Sequence, residues 1–336
     1  MFSTPTLHDS TRESEFYRAT AVIEGFEKIG CDAINVGHYE LAAGLPLLLG
    51  LTKTTSIPFI SANLRDAHTD ELLFDPYLMI QRDGLTFGII GLTDLVPDTV
   101  DGVVVDDYVV AGDEYISNLK NQVDMVILLI NSDRSTYKNL PSVFPDADLI
   151  YTSGSTMLTR PMMTQEENGP FVFSCGREGR YLNLVNVALE NKNDLMINKS
   201  YFIEKIKYVN RRIDRYIDKD PNIPLETLYA DQPSILSAIK DSQKEIKRMQ
   251  GWLERAENIV EFQNLAMDAS IKDDPTMFNF VNQTLATHYG LQNVESSSDG
   301  ERFVQVSLEG VPRSGILTHG RILWVGEDPI RIGFRP

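Results

Sequence analysis

Cysteine, histidine and long apolar runs are all scarce in this chain of 336 residues. Its two cysteines, Cys31 and Cys175, can form neither a disulfide framework nor a C-x-x-C redox or zinc motif. Each falls beside an apolar strand and reads as a buried thiol. C-x-x-C-H is absent, so the chain attaches no c-type haem of its own. No run of about 18 apolar residues occurs, and no membrane span is expected. Positive charge is also short. Lys and Arg number 31 against 48 Asp and Glu, leaving a net charge of −17, the opposite of the cationic footprint that nucleic-acid binding needs. The five histidines, His8, His38, His68, His288 and His319, show no H-x-H or H-E-x-x-H spacing. Walker A, G-x-G-x-x-G and G-x-S-x-G motifs are missing too. The opening Met1-Phe2-Ser3-Thr4-Pro5-Thr6 has neither the basic nor the apolar region of a signal peptide.

What is present is strand–helix alternation. Phe16, Ala19, Ile23, Phe26 and Ile29 recur at helical spacing and predict a helix over 14–29. The strand Ala33–Val36 follows, then a helix over Leu41–Thr52 and the strand Phe59–Ala62, ending at Asn63. Tyr77–Gln81 and Thr86–Leu92 predict a hairpin around Asp83-Gly84. A helix near Glu114–Gln122 leads into Met125–Ile130, an unbroken apolar run that suits a strand buried on both faces. Asp148–Thr152, Phe171–Cys175 and Leu182–Leu189 complete an α/β layered domain. Ser200–Lys207 reads as a strand or short helix, and Asp220-Pro221 with Ile223-Pro224 as a linker. Pro233 opens a long helix whose apolar face runs through Leu236, Ile239, Ile246, Met249, Leu253, Ala256, Val260 and Met267. It would pack as a helical hairpin against Pro275–His288 or as an oligomeric coiled coil. Phe303–Leu308, Ile316–Leu317 and Ile322–Val325 alternate as strands. The expected organisation is a domain over 1–195, a linker over 196–224, and a helical hairpin with a small strand-rich region over 225–336.

Four segments resemble, in order, the 5'-nucleotidase-like (calcineurin-like) metallophosphatases. The first is Gly30-Cys31-Asp32-Ala33-Ile34-Asn35-Val36-Gly37-His38-Tyr39-Glu40-Leu41-Ala42-Ala43-Gly44. The second is Ile57-Pro58-Phe59-Ile60-Ser61-Ala62-Asn63, with Gly88-Ile89-Ile90-Gly91-Leu92-Thr93 after it. Val123–Asn131 and Asp148–Thr156 are the third and fourth. The resemblance implies a layered α/β/β/α sandwich, N-terminally incomplete, because the family's first metal motif has no counterpart after Met1. It also assigns roles to positions. His38 stands where the family has a metal-binding Asn, and Tyr39 where it has a phosphate-contacting His. Asn131, Gly154 and Thr156 stand where it has metal-binding His residues, with Glu40 beside the first motif. Two-metal phosphoester hydrolysis needs two ions about 3.5–4 Å apart in a full set of donors. The changed positions leave at most His38 and Asn131 to reach a metal, with Glu40 behind them and His38 the first candidate.

The implied function is a non-catalytic binding or assembly subunit without a cofactor. Ser153, Gly154 and Ser155 could cradle an anion on their backbone N–H groups. The alternative is a metal-dependent phosphoesterase using Mn²⁺, Zn²⁺ or Mg²⁺, with its missing ligands from an upstream or separate segment. The resemblance extends to domains that accompany multihaem cytochromes, so a cytochrome joins self-association and other proteins as a possible partner. It points to a periplasmic or extracellular setting. An incomplete sheet predicts an unpaired apolar edge at Ala33–Val36 or Met125–Ile130, covered by another chain or by residues 300–336.

Overall fold

The structure is a computed structural model that describes residues 12–163, 165, 169–177, 179–192 and 194–297. The strands predicted beyond residue 300 lie outside the described residues. The described chain divides into two compact units. One takes the residues up to 159, residues 170–183 and those from 264 on; the other takes 160–169 and 184–263.

The first unit runs α1 (Arg12–Lys28), β1 (Ile34–Asn35), α2 (Leu45–Thr52), β2 (Phe59–Ile60), β3 (Leu64–Asp66), β4 (Tyr77–Arg82), β5 (Leu85–Thr93), β6 (Val103–Val105), α3 (Tyr108–Leu119), β7 (Met125–Asn131), α4 (Leu140–Val143), β8 (Leu149–Ser153) and β9 (Phe171–Ser174). Its five-stranded sheet has the order β4-β5-β7-β8-β9. The β4–β5 hairpin is antiparallel and the other pairs are parallel. Asp83 and Gly84 both take positive φ, 49° and 82°, as the tight turn between right-twisted strands requires.

Every residue of β7 is buried. One of its faces meets a cluster that includes Ile116, Leu119, Leu140 and Phe144 from the helical layer. A second core, with Ile23, Val36, Leu48, Leu51, Phe59 and Leu64, joins α1 and α2 to β1 and β2. Met125–Ile130 is therefore no free edge; β5 and β8 occupy both of its sides. Past the start of β4, the end of β5 is met by the β2 segment instead: Ala62 N donates to Gly91 O at 2.7 Å. β1 lies parallel to β2, which brings both short strands to the carboxyl end of the sheet.

Local chemistry moves two predicted helix starts. Gly44 at φ 87° precedes α2, so that helix begins at Leu45 with Pro46 in its first turn, not at Leu41. Asp107 caps α3, its carboxylate accepting from Val109 N at 2.8 Å and Val110 N at 3.2 Å. The helix consequently starts at Tyr108, ahead of the predicted Glu114.

The second unit contains most of β10 (Tyr181–Ala188) and of β12 (Asn258–Ala266), with β11 (Met196–Asn198), α5 (Lys199–Ile217), α6 (Leu225–Leu228) and α7 (Pro233–Arg255); the strands are ordered β10-β12-β11. Buried Asn258 ties down the turn after β10. Its carbonyl accepts from the backbone of Glu190 and Asn191, and its amide donates to Asn191 O and Asp194 O. Asn198 caps α5 through Tyr201 N at 3.0 Å, so residues 199–217 form one helix, not a strand or short helix. α5 and α7 run antiparallel, with Phe202 edge-on to Trp252 and Arg212 bonded to Ser242. Phe202, Val209 and Ile213 interlock with Ile239, Ile246 and Met249.

Two expectations for α7 are corrected. The helix ends at Arg255, and Val260 and Met267 do not continue its face. Asn258, Val260 and Phe262 are instead buried in alternation along β12, the period of a strand. Its partner helix is α5, not Pro275–His288. The latter belongs to α8 (Pro275–Ser297), which packs on α1 in the first unit: Lys28 Nζ stands 5.1 Å from the centre of the Phe280 ring, and His288 Nδ1 lies 3.1 Å from Ser14 O. Gly290 does not stop this helix, since glycine inside a helix costs only about 1 kcal/mol. Among the described residues no helix is long and apolar enough to cross a membrane.

Candidate functional site at the carboxyl end of the sheet

Open α/β sheets place ligands beyond the carboxyl ends of their strands. There the loop after β1 brings Gly37, His38, Tyr39 and Glu40 against the ends of β7 and β8. Asn131, 5% exposed, is the hub. Its carbonyl oxygen lies 3.3 Å from His38 N, 3.1 Å from His38 Nδ1 and 3.3 Å from Thr93 Oγ1. Its amide nitrogen donates to Ser153 Oγ at 2.9 Å. The backbone of Gly37 passes so close that a Cβ there would stand 2.6 Å from Asn131 Cγ. The His38 and Tyr39 rings touch at a tilt of 45°, with centres 4.1 Å apart. Glu40 folds back, its Oε2 accepting from Gly37 N at 3.2 Å.

A second tier holds this arrangement. Asn63, fully buried, donates to Thr93 O and Asp106 O and accepts from Thr93 N. Tyr137 OH donates to Ser153 O at 2.8 Å, and burial raises its pKa above that of an ordinary tyrosine. Gly154 takes φ 99°, and a Cβ on it would meet Ser132 O at 2.6 Å, so the turn after β8 requires glycine. Ser155 Oγ accepts from Met157 N at 3.2 Å. Asp133 is exposed, and its hydrogen bonds with Ser135 lower its pKa.

The structure thus joins His38, Tyr39, Asn131 and Ser153, with Glu40 and Gly154 shaping the two loops. Thr156 stands exposed outside the network. Thr93, Ser132 and Tyr137 carry weight that sequence reasoning assigned to none of them. Thr93 closes the Gly88–Thr93 segment, and that position was the available signal.

Cys31 and Cys175 take no part. Burial is the chief cause that pushes each thiol up to about 11. At pH 8 only about one in a thousand would be thiolate. Iodoacetamide should label the native protein about a hundredfold more slowly than the urea-unfolded chain. Equal rates in the two states would show that the thiols are open.

No family model matches the chain. A 5'-nucleotidase of Vibrio parahaemolyticus is 33% identical over 87 residues, which is 26% of this chain and 16% of that protein. Protein UshA of Escherichia coli is 31% identical over 87 residues, with the same coverage. The chain therefore matches only a small part of these relatives. Among solved structures, the calcineurin-like phosphoesterase YfkN of Bacillus subtilis superposes with TM-score 0.54 and 16% identity over 85% of this chain and 79% of that one. A putative 5'-nucleotidase of Staphylococcus aureus does so with TM-score 0.50 and 12% identity over 80% and 44%. The fold is that of the calcineurin-like phosphoesterases. Within it the chain carries a 5'-nucleotidase-like metallophosphatase domain.

These comparisons correct the expectation of a cofactor-free chain. The 5'-nucleotidases and calcineurin-like phosphoesterases that it resembles are metal-dependent. The side chains at the matched positions do not, however, fit a two-ion centre. His38 and Asn131 are bonded to each other, and among the described residues no three His, Cys, Asp or Glu side chains converge on one point.

Proposed function

We propose that the chain is a binding and assembly module in which the strand-end network does not hydrolyse phosphoesters. The observation behind this reading is the Asn131 hub. A donor that is to hold an ion or steer a phosphate needs free lone pairs or N–H groups aimed outward. The Asn131 carbonyl is already approached by His38 and Thr93, and its amide donates to Ser153. Any side chain at position 37 would collide with that amide, so glycine there is what lets the network form. A metal-dependent phosphoesterase, the other reading, would have to break this network or draw its ligands from elsewhere. Among the described residues nothing singles out a cytochrome, so the proposal stops at assembly.

The test is hydrolysis of 5'-AMP and of p-nitrophenyl phosphate with Mn²⁺, Zn²⁺ or Mg²⁺. Phosphate release should not exceed that of a protein-free control holding the same metal. Turnover that scales with protein and vanishes in His38→Ala and Asn131→Ala, both still folded, would establish the phosphoesterase instead.

A further inference from the structure

Charge is distributed very unevenly along this acidic chain. Helices α5 and α7 together hold eleven Lys and Arg against five Asp and Glu. The remainder of the sequence holds twenty against forty-three. Part of the positive charge is spent locally, Lys205 on Glu245 and Lys207 on Glu204. Arg211 and Arg215 are exposed and make no ion pair among the described residues. They lie three and seven positions after Tyr208, which is 43% exposed. Residues at this spacing share one helix face, so α5 turns to solvent an aromatic ring flanked by guanidinium groups.

The first unit carries the complement. α3 buries Ala111, Gly112, Ile116 and Leu119. Its opposite face exposes Val110 at 65%, the most exposed large apolar side chain among the described residues. Asp107, Asp113 and Glu114, all exposed, surround that valine at positions three and four residues away. One face is apolar at its centre with an anionic rim, and the other is aromatic with a cationic rim.

We propose that the Tyr208 face of α5 docks on the Val110 face of α3 in a second copy of this chain. Opposite rims steer the encounter and fix its register, and the apolar centres lose water on contact. The other partners for a cationic helix are polyanions such as RNA or anionic lipid. A second copy is preferred because it carries the matching face, an apolar centre inside an anionic rim, in equal number with the cationic one. Reciprocal contacts close a dimer and one-way contacts propagate a chain of copies. The proposal rests on the assembly reading for its purpose, but its test is independent of hydrolysis: phosphoesterase activity would leave the association result standing, and the reverse also holds.

The experiment measures the mass of the full chain in solution by light scattering. Wild-type protein should associate at about 0.05 M salt and dissociate toward monomer at about 0.5 M, because exposed ion pairs are screened there. Arg211→Glu with Arg215→Glu should weaken association by about tenfold or more, with an unchanged circular dichroism spectrum. Mixing that variant with one carrying Asp113→Lys and Glu114→Lys should restore a heteromeric complex, which a merely structural role for these residues would not do. A monomer at every salt concentration would overturn the proposal. So would association indifferent to the reversals, failure of the swapped pair, or wild-type binding to RNA or anionic vesicles that competes with self-association.

Discussion

Ile246→Asp should unfold the second unit. Ile246 lies in the seam between α5 and α7, 9% exposed, within the cluster of Phe202, Val209, Ile213, Ile239 and Met249. The substitution removes a branched aliphatic side chain from that packing and puts a carboxylate in its place. Burying the charge without a partner, or protonating the group to avoid doing so, adds to the packing loss, and the total should be about 3–5 kcal/mol. The same change is instructive beside Glu254→Gln on the exposed side of α7, which should shift stability by less than about 0.5 kcal/mol. Urea denaturation followed by Trp252 fluorescence reads both, since Trp252 packs edge-on against Phe202. An Ile246→Asp midpoint equal to wild type would mean that the seam is open to water.

Gly91→Ala should be nearly as costly, for the opposite reason. The carboxyl end of β5 is crossed so closely by the β2 segment that a methyl group on Gly91 would stand 2.6 Å from Asn35 Oδ1 and 2.7 Å from Ile60 O. Ile60 O is backbone within the sheet and cannot rotate away. Relief requires β1 and β2 to move off β5, breaking the bond from Ala62 N to Gly91 O. Overpacking of this kind costs about 1–3 kcal/mol and more when backbone must shift. Gly50→Ala in α2 is the contrasting case: open space surrounds it, and alanine in a helix should add up to about 1 kcal/mol. Thermal melts of the two variants should move in opposite directions. A Gly91→Ala protein as stable as wild type would show that β2 does not hold the position described.

The sheet was legible because its strands carry their own signals. Met125–Ile130 is apolar without interruption, Asp83-Gly84 demands a tight turn, and the motif order set the succession of strands. The pairing of the strand ends was not legible. β1 and β2 are two residues each, and their place at the end of β5 depends on Gly91 being small, a fact about contact that no periodicity encodes. The second unit was read least well. Pro221 and Pro224 read as a linker, which hides that the stripe Phe202, Val209 and Ile213 ahead of them is the face that α7 needs. Val260 fits the heptad-like spacing after Leu253 and also the alternation of β12. The turn at Ala256–Glu257 decides between them, and the Asn258 clamp on residues 190–194 favours the strand. At the candidate site the individual residues His38, Tyr39 and Asn131 were visible from the motif. The bonds that tie His38 to Asn131 were not, because a hydrogen bond between residues so far apart in the chain leaves no local trace.

The contact between Gly37 and Asn131 has a consequence for how this chain can change over evolutionary time. The two positions are not independent letters. An alanine at the first is sterically compatible only with a side chain at the second that branches later or points elsewhere, and abandoning the amide at the second strands both His38 and Ser153. A drift from this arrangement toward another would pass through intermediates that lose either packing or hydrogen bonds. Substitutions at these two sites should therefore be found together or not at all across related chains, a pairwise dependence measurable by double-mutant coupling.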